Sequence, residues 1–475
     1  MLRPHARRFL AVFVAALAAA AAPAVSKSEP VSSLSPSSLE EIDRAAREIL
    51  FETGAPSASV AVVAGGEIAC VRAYGRARLD PPTPARTDMR YAIGSISKQF
   101  TVAAILMLAQ EGKLSLDDPV ARFLPDLTRA RQVTIRQLLS HTSGYQDYWP
   151  QDYVPPFMLG AITREEILDR WAKKPLDFEP GTDWQYSNTG FVAAGAIVEK
   201  ASGQELFEFL VKRVFKPLGM GSVADVDRAR LGDTDALGYL RYGVGPPRRA
   251  PKEGRGWLFA AGELAMTAED LARWNLALLR RRLLSEASLA EMETETRLKN
   301  GLGTRYGLGI GVTTENGRRA LEHGGEVSGF TATNIVLPDD AATVTVLTNQ
   351  DSNQAAPALA RRIVALLLEG PDVAAHQARA RHVFEDLQRG RVDRSLLTEN
   401  ASSYFTSQAL QDFAGSLGPL GKPTEVKQTA CQTRGGMTFR LFHVKLAGRS
   451  LEVWERDMPD GKIEQYQVMA LPPAP

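Results

Sequence analysis

The chain has 475 residues, more than one ordinary core supports, so at least two folded units are expected. Its 44% hydrophobic and 23% charged residues are globular values that exclude wholesale disorder and a multi-span membrane protein. With 56 Lys+Arg against 55 Asp+Glu, the net charge of +1 offers no global field to attract nucleic acid.

Residues 1–24 read as a secretory signal peptide. Arg3, Arg7 and Arg8 precede an uncharged apolar run from Phe9 to Ala22, and Ala22-Pro23-Ala24 supplies a small-residue cleavage site. The run is shorter than the roughly 20 residues a spanning helix needs. A secreted or periplasmic protein without a transmembrane span is therefore expected after cleavage. Cleavage removes those three arginines and no acid, leaving 53 Lys+Arg against 55 Asp+Glu, a net charge of −2. A Ser/Pro-rich stretch over 25–37 predicts a short flexible leader.

The first element of the folded chain is a predicted helix over 38–53, where Leu39, Ile42, Ala46, Ile49 and Leu50 share a face and Gly54 can end it. Residues 59–64, the turn Gly65-Gly66 and residues 67–74 then predict a hairpin. Helices are predicted over 95–111, 163–173, 190–201, 203–214, 267–279 and 285–294. A second strand cluster follows at 319–322, 330–337 and 343–349, with Pro338-Asp339-Asp340 as a turn. This order predicts an α+β domain over 38–369, in which the early hairpin and late strands share one antiparallel sheet beside an inserted helical region. Gly370-Pro371 marks a boundary. Residues 370–475 then predict a small C-terminal α+β module: a helix over 374–389, short helices over 394–400 and 407–416, and strands at 425–433, 437–446, 451–455 and 463–469. Helices followed by strands is the order of small cystatin-like or nuclear-transport-factor-like domains.

Three short constellations carry chemistry. In Ser95-Ile96-Ser97-Lys98, residues three apart at a helix start face the same way, so the Ser95 hydroxyl and the Lys98 amine can meet. A serine needs a neighbouring base to act as a nucleophile, and a desolvated lysine can be one. The residues that follow, from Phe100 to Ala109, are apolar nearly all round, which predicts a central, rigid helix. Tyr186-Ser187-Asn188 offers a tyrosine whose phenol pKa a nearby lysine cation could lower, and an asparagine amide to hold a substrate carbonyl and orient the lysine. His323-Gly324-Gly325-Glu326, expected at the end of a strand, offers an edge for a substrate backbone and, from Glu326, a backbone N–H for an oxyanion. Alone, each pattern has a plain structural alternative: a capping serine, a packed loop tyrosine, a turn with a surface histidine. Cys70 and Cys431 cannot make a disulfide framework and are expected as two separate buried thiols. The six histidines show no clustered ligand spacing, so no metal or other cofactor is expected.

Together, and in this order, the three constellations make the chain resemble the penicillin-recognising serine hydrolases, a superfamily of class C β-lactamases, D-alanyl-D-alanine carboxypeptidases, D-aminopeptidases and related esterases. Leu138-Leu139-Ser140-His141-Thr142-Ser143-Gly144, Leu114-Ser115-Leu116-Asp117-Asp118-Pro119, Ala261-Gly262 with Thr267-Ala268-Glu269-Asp270-Leu271, and Tyr306-Gly307-Leu308-Gly309 fit the same resemblance. It implies a β-lactamase-like domain in which Ser95 is acylated, Lys98 and Tyr186 share the base and acid roles, and Asn188 positions substrate. The backbone N–H groups of Ser95 and Glu326 would form the oxyanion hole, with His323, Gly324 and Gly325 along the substrate. His141 would be a buried structural histidine.

His323 stands where β-lactamases of this type carry the lysine of K-T-G, and Gly324 replaces a threonine that helps hold a substrate carboxylate. The expected activity is therefore hydrolysis of small-molecule esters or D-configured amides and peptides, including cell-wall-derived ones. A D-alanyl-D-alanine carboxypeptidase, a weak β-lactamase and a non-catalytic penicillin-binding scaffold are the alternatives. With a reference pKa of about 6.5, His323 would titrate near neutrality, narrowing any preference for uncharged substrates below about pH 6. Loops 146–157 and 241–256 are expected to set specificity.

Overall fold

A computed structural model describes residues 34–151, 153–315, 317–368 and 371–470. The expected signal peptide and most of the leader lie outside these residues. No helix among the described residues is long and apolar enough to cross a membrane.

Helix α1 (Pro36–Thr53) begins two residues before its predicted start, because the Ser35 hydroxyl caps it by accepting the Ser38 N–H at 3.1 Å. It ends where expected, on Gly54 at φ 69°. The chain then forms β1 (Ser57–Ala64), β2 (Glu67–Leu79) and β3 (Pro82–Pro84). After the helical region come β4 (Gly311–Glu315), β5 (Arg318–Val327), β6 (Phe330–Leu337) and β7 (Ala342–Thr348). One antiparallel sheet in the order β3-β2-β1-β7-β6-β5-β4 unites the early and late strands, with Val60 opposite Val346 and Gly325 opposite Ala332. Strand β4 was not expected.

The central strand β1 is buried on both faces. On one side Val60 and Val62 join Ile42, Ala46 and Leu50 of α1 and Leu359 and Ile363 of α5 (Ala355–Leu367) in one core. On the other, Ala61, Val63 and Leu347 join a larger core built on α2 (Lys98–Gln110), α3 (Asn188–Ser202) and α4 (Ala268–Leu279). The domain is thus an α+β fold with a β-lactamase-like core and an inserted helical region. Two predicted helices are broken: residues after Arg164–Ile167 and after Leu206–Leu210 run on as wider, π-type turns, and Gly203 caps the end of α3.

The C-terminal module has its own core around Phe384, Phe405, Phe442, Val453 and Tyr466. A long helix, α6 (Pro371–Gln388), and shorter helices precede a four-stranded antiparallel sheet at Glu425–Arg434, Met437–Lys445, Ser450–Asp457 and Ile463–Ala470. The two cysteines are free: Cys70 is buried, whereas Cys431 is only half-buried, contrary to expectation, because it lies on the first strand of this sheet.

Candidate active site

Ser95 sits not on the α-helix proper but in the 3₁₀ turn Gly94–Ser97 that leads into α2. Every residue from Lys98 to Leu108 is buried, as the apolar composition demands, and Thr101 and Gln99 are tied to neighbouring segments through the Ala260 carbonyl and the Trp274 indole N–H, both at 2.8 Å. The nucleophile candidate thus stands at the start of an immobile rod.

Lys98 is fully buried and sits behind Ser95. Its Nζ lies 2.9 Å from Ser95 Oγ, 2.8 Å from Asn188 Oδ1 and 2.8 Å from the Ala261 carbonyl. Burial lowers its pKa to about 7, and the Asp147 carboxylate only partly opposes this. A neutral amine has two N–H groups and one lone pair. The Asn188 and Ala261 oxygens can only accept, so they take the two N–H groups and leave the lone pair facing the Ser95 hydroxyl.

Tyr186, also beside Ser95, is half-buried at the edge of the cavity and hydrogen-bonds the serine. Its phenol is pushed up, well beyond its ordinary value, by burial above all; Ser95 pulls it down and Asp147 adds to the rise. This corrects the expectation of a lowered phenol pKa: the lysine that would have stabilised a phenolate is itself held near neutrality. Tyr186 therefore remains a proton donor.

Asn188 is the first residue of α3, whose Ser187 cap accepts the Gly190 N–H at 3.3 Å. Its carbonyl oxygen faces Lys98, as expected. Its NH₂ group donates to Asp147 Oδ2 at 3.2 Å, which leaves one N–H for a substrate.

The His323-Gly324-Gly325-Glu326 stretch lies within β5, not at its end, and His323 is buried. The strand continues because β6 pairs with it through Val327. His323 Nδ1 meets the Gly324 carbonyl at 2.5 Å and Nε2 meets the Tyr306 hydroxyl at 2.8 Å. Since a carbonyl only accepts, Nδ1 carries the proton and Nε2 accepts from Tyr306. Burial, with Lys98 close by, lowers the His323 pKa to about 4, which overturns the expectation of titration near neutrality.

Gly325 and Gly94 explain how the two segments meet. A Cβ on Gly325 would fall 1.9 Å from the Ile93 carbonyl oxygen, and one on Gly94, at φ 51°, would fall 2.6 Å from the Glu326 nitrogen. Only glycines let the Ser95 turn and β5 approach this closely, which brings the backbone of Ser95 beside that of Gly325 and Glu326. Gly324 is different, since a Cβ there meets nothing nearer than 3.9 Å.

His141 is buried, as expected. Its Nδ1 accepts the Ser187 N–H at 3.1 Å, and its ring lies 4.2 Å from the Tyr186 ring, so it fixes the tyrosine's backbone and face. Three participants were not foreseen: Asp147, Tyr306 and the Ala261 carbonyl. Tyr306 and Ala261 lay in stretches that carried the resemblance, but nothing in their residue type marked them as parts of the site.

A cavity of about 960 Å³ opens over Ser95, Tyr186, Asn188 and the His323–Glu326 strand. Tyr148, Trp149, Tyr153, Trp184 and Tyr306 give it an aromatic wall. Loop 146–157 supplies much of that wall, as expected. No described residue of loop 241–256 lines it, which corrects that expectation. Glu253 of that loop instead accepts the Ser328 N–H at 2.8 Å and braces the turn after β5.

The β-lactamase family profile matches residues 42–368, which hold the sheet, the helical region and every residue of this site. The chain belongs to the β-lactamase family. Penicillin-binding protein 4* of Bacillus subtilis is 30% identical over 322 residues, covering 64% of this chain and 71% of the relative. A D-aminopeptidase of Cereibacter sphaeroides is 28% identical, covering 70% of this chain and 64% of its own length, so the chain spans less than two thirds of that relative. Among solved structures, a D-stereospecific amidohydrolase from Streptomyces is 27% identical with a TM-score of 0.60, covering 69% of this chain and 98% of that one. A penicillin-binding protein homologue from Pyrococcus abyssi, 22% identical with a TM-score of 0.62, covers 91% of this chain and 96% of its own, and shares the fold.

Proposed function

We propose that this β-lactamase-family chain is an exported serine hydrolase that opens esters or D-configured amides through an acyl-enzyme on Ser95. The observation that carries this reading is the Lys98 amine, buried, with a pKa of about 7 and 2.9 Å from Ser95 Oγ. In acylation, the Ser95 proton moves to Lys98 Nζ as Oγ bonds to the substrate carbonyl carbon. The Ser95 and Glu326 N–H groups hold the resulting oxyanion. Collapse breaks the bond to the leaving group, which takes a proton from the Tyr186 phenol, and the lysine proton replenishes Tyr186. Water then repeats the sequence on the acyl-enzyme with the same groups reversed.

The substrate side favours uncharged leaving groups. His323 is neutral through the working range and Gly324 has no hydroxyl, so neither supplies the charge or hydrogen bond that a terminal carboxylate needs. The aromatic wall suits an apolar or aromatic side chain. D-configuration is supported by the likeness to the aminopeptidase and the amidohydrolase.

Turnover of an activated ester, matched D- and L-phenylalanine amides, a D-alanyl peptide with a free carboxylate, and a cephalosporin tests the reading. The ester and the D-amide should lead. Preference for the free-acid peptide or the cephalosporin would replace it with the carboxypeptidase or β-lactamase alternative.

A further inference from the structure

We propose that Asp147 is the positioning residue that sets the Asn188 amide, and through it the Lys98 amine, in the orientation that makes Lys98 a base towards Ser95. The inference rests on the reading of Ser95 and Lys98 as nucleophile and base, and adds a residue that acts through Asn188 without touching Ser95.

Asp147 grips Asn188 twice. Its Oδ1 accepts the Asn188 backbone N–H at 3.0 Å and its Oδ2 accepts the side-chain NH₂ at 3.2 Å. A carboxylate has no donor, so it can take only the NH₂ end of the amide; the carbonyl end must then face Lys98, where the observed contact is 2.8 Å. With the amide flipped, an N–H would point at the lysine lone pair and compete with the Ser95 hydroxyl for it. Asp147 itself is held by the Trp149 N–H on Oδ1 at 3.2 Å. The loop that carries it is anchored by Gly144 at φ 82°, where a Cβ would fall 2.4 Å from the Phe178 carbonyl.

Asp147 also supplies the charge that faces Lys98. The other titratable groups around the amine are Tyr186, His141 and His323, and burial keeps all three neutral near pH 7. Burial raises the Asp147 pKa, but the N–H groups of Trp149 and Asn188 and the charge of Lys98 oppose that rise. Its carboxylate in turn raises the lysine above the value that burial alone would give.

The test compares the wild type with Asp147→Asn, Asp147→Glu, Asn188→Leu and the Asp147→Asn/Asn188→Leu pair. It measures ester kcat and KM against pH, and the Lys98 midpoint by ¹³C NMR of ε-labelled lysine, assigned with Lys98→Arg. In Asp147→Asn, kcat should fall about 10–100-fold with KM nearly unchanged, and the acid limb of kcat/KM should move down by about one unit as the facing charge is lost. Asp147→Glu keeps the charge on a longer arm, so kcat should fall while the limb stays in place; this arm also decides the case if the asparagine variant does not fold. The pair should be no slower than Asn188→Leu alone. Additive losses, a loss confined to KM, or wild-type kcat with an unmoved limb would overturn the proposal. If the wild type does not acylate at all, the functional reading falls separately. The NMR midpoint then still decides: lowered in Asp147→Asn sustains the role, unmoved overturns it.

Discussion

At the scale of single residues, burial rather than residue type sets the chemistry. Lys98 and His323 are buried and Tyr186 is half-buried, and in each desolvation suppresses the charged form. Because Lys98 must be neutral to act, kcat/KM should rise through an acid limb near pH 7 and collapse below it; a limb near pH 4 or 5 would assign the base to another group. Lys98→Ala and Tyr186→Phe should each cost kcat about 10²–10⁴-fold with little change in KM, read by steady-state kinetics.

His323 stays neutral down to about pH 4, so the preference for uncharged substrates should be flat from pH 5 to 8. The check is the ratio of kcat/KM for a matched ester and free acid across that range. Gly324→Thr, which the free space at that position admits, should raise the free-acid rate. That Ser95 and Lys98 meet was legible from their three-residue spacing, and that Tyr186 and Asn188 join them from a resemblance. Asp147 was not, since its meaning arises only when its loop folds over the start of α3.

At the scale of elements, the site is the meeting of a 3₁₀ turn with β5, and two glycines fix the gap. Gly325→Ala would drive a methyl into the Ile93 carbonyl and push the strand and the turn apart. Loss of one oxyanion donor typically costs about 10²–10³ in kcat, and a loss of that order is expected, with KM much less affected. Gly324→Ala, on the same strand with open space, is the control and should change kcat little. The early hairpin, the late strands and most helices were legible from periodicity and turn residues. The extent of β5 was not: Gly324-Gly325 reads locally as a turn, and only pairing with β6 keeps it extended. Likewise the π-type turns after Ile167 and Leu210 leave no trace in the apolar pattern.

At the scale of the whole molecule, the C-terminal module stands apart from the chemistry. Its core is its own, and no described residue beyond Arg361 lines the cavity. Contact with the catalytic domain includes the half-buried pair of Lys427 and, on α1, Glu41 at 3.6 Å, away from the cavity. A chain ending near Glu369 should fold and hydrolyse an activated ester at a rate close to that of the full chain. Complete loss of turnover in a well-folded truncation would show that the module supports the site. The module's helices-then-strands order was legible in the sequence because its turns, Arg434-Gly435-Gly436 and Pro459-Asp460-Gly461, are strong hairpin signals.

The central claim, that Ser95 is the nucleophile of an acyl-transfer site, is tested most directly by intact mass after treatment with a fluorophosphonate, with peptide mapping of the adduct. The account predicts a single adduct on Ser95 in the wild type and none in Ser95→Ala, whose fold should be intact because alanine suits the turn and Ser95 is only partly buried, at the cavity. An adduct that persists in Ser95→Ala, or folded wild-type protein that takes none, would contradict it.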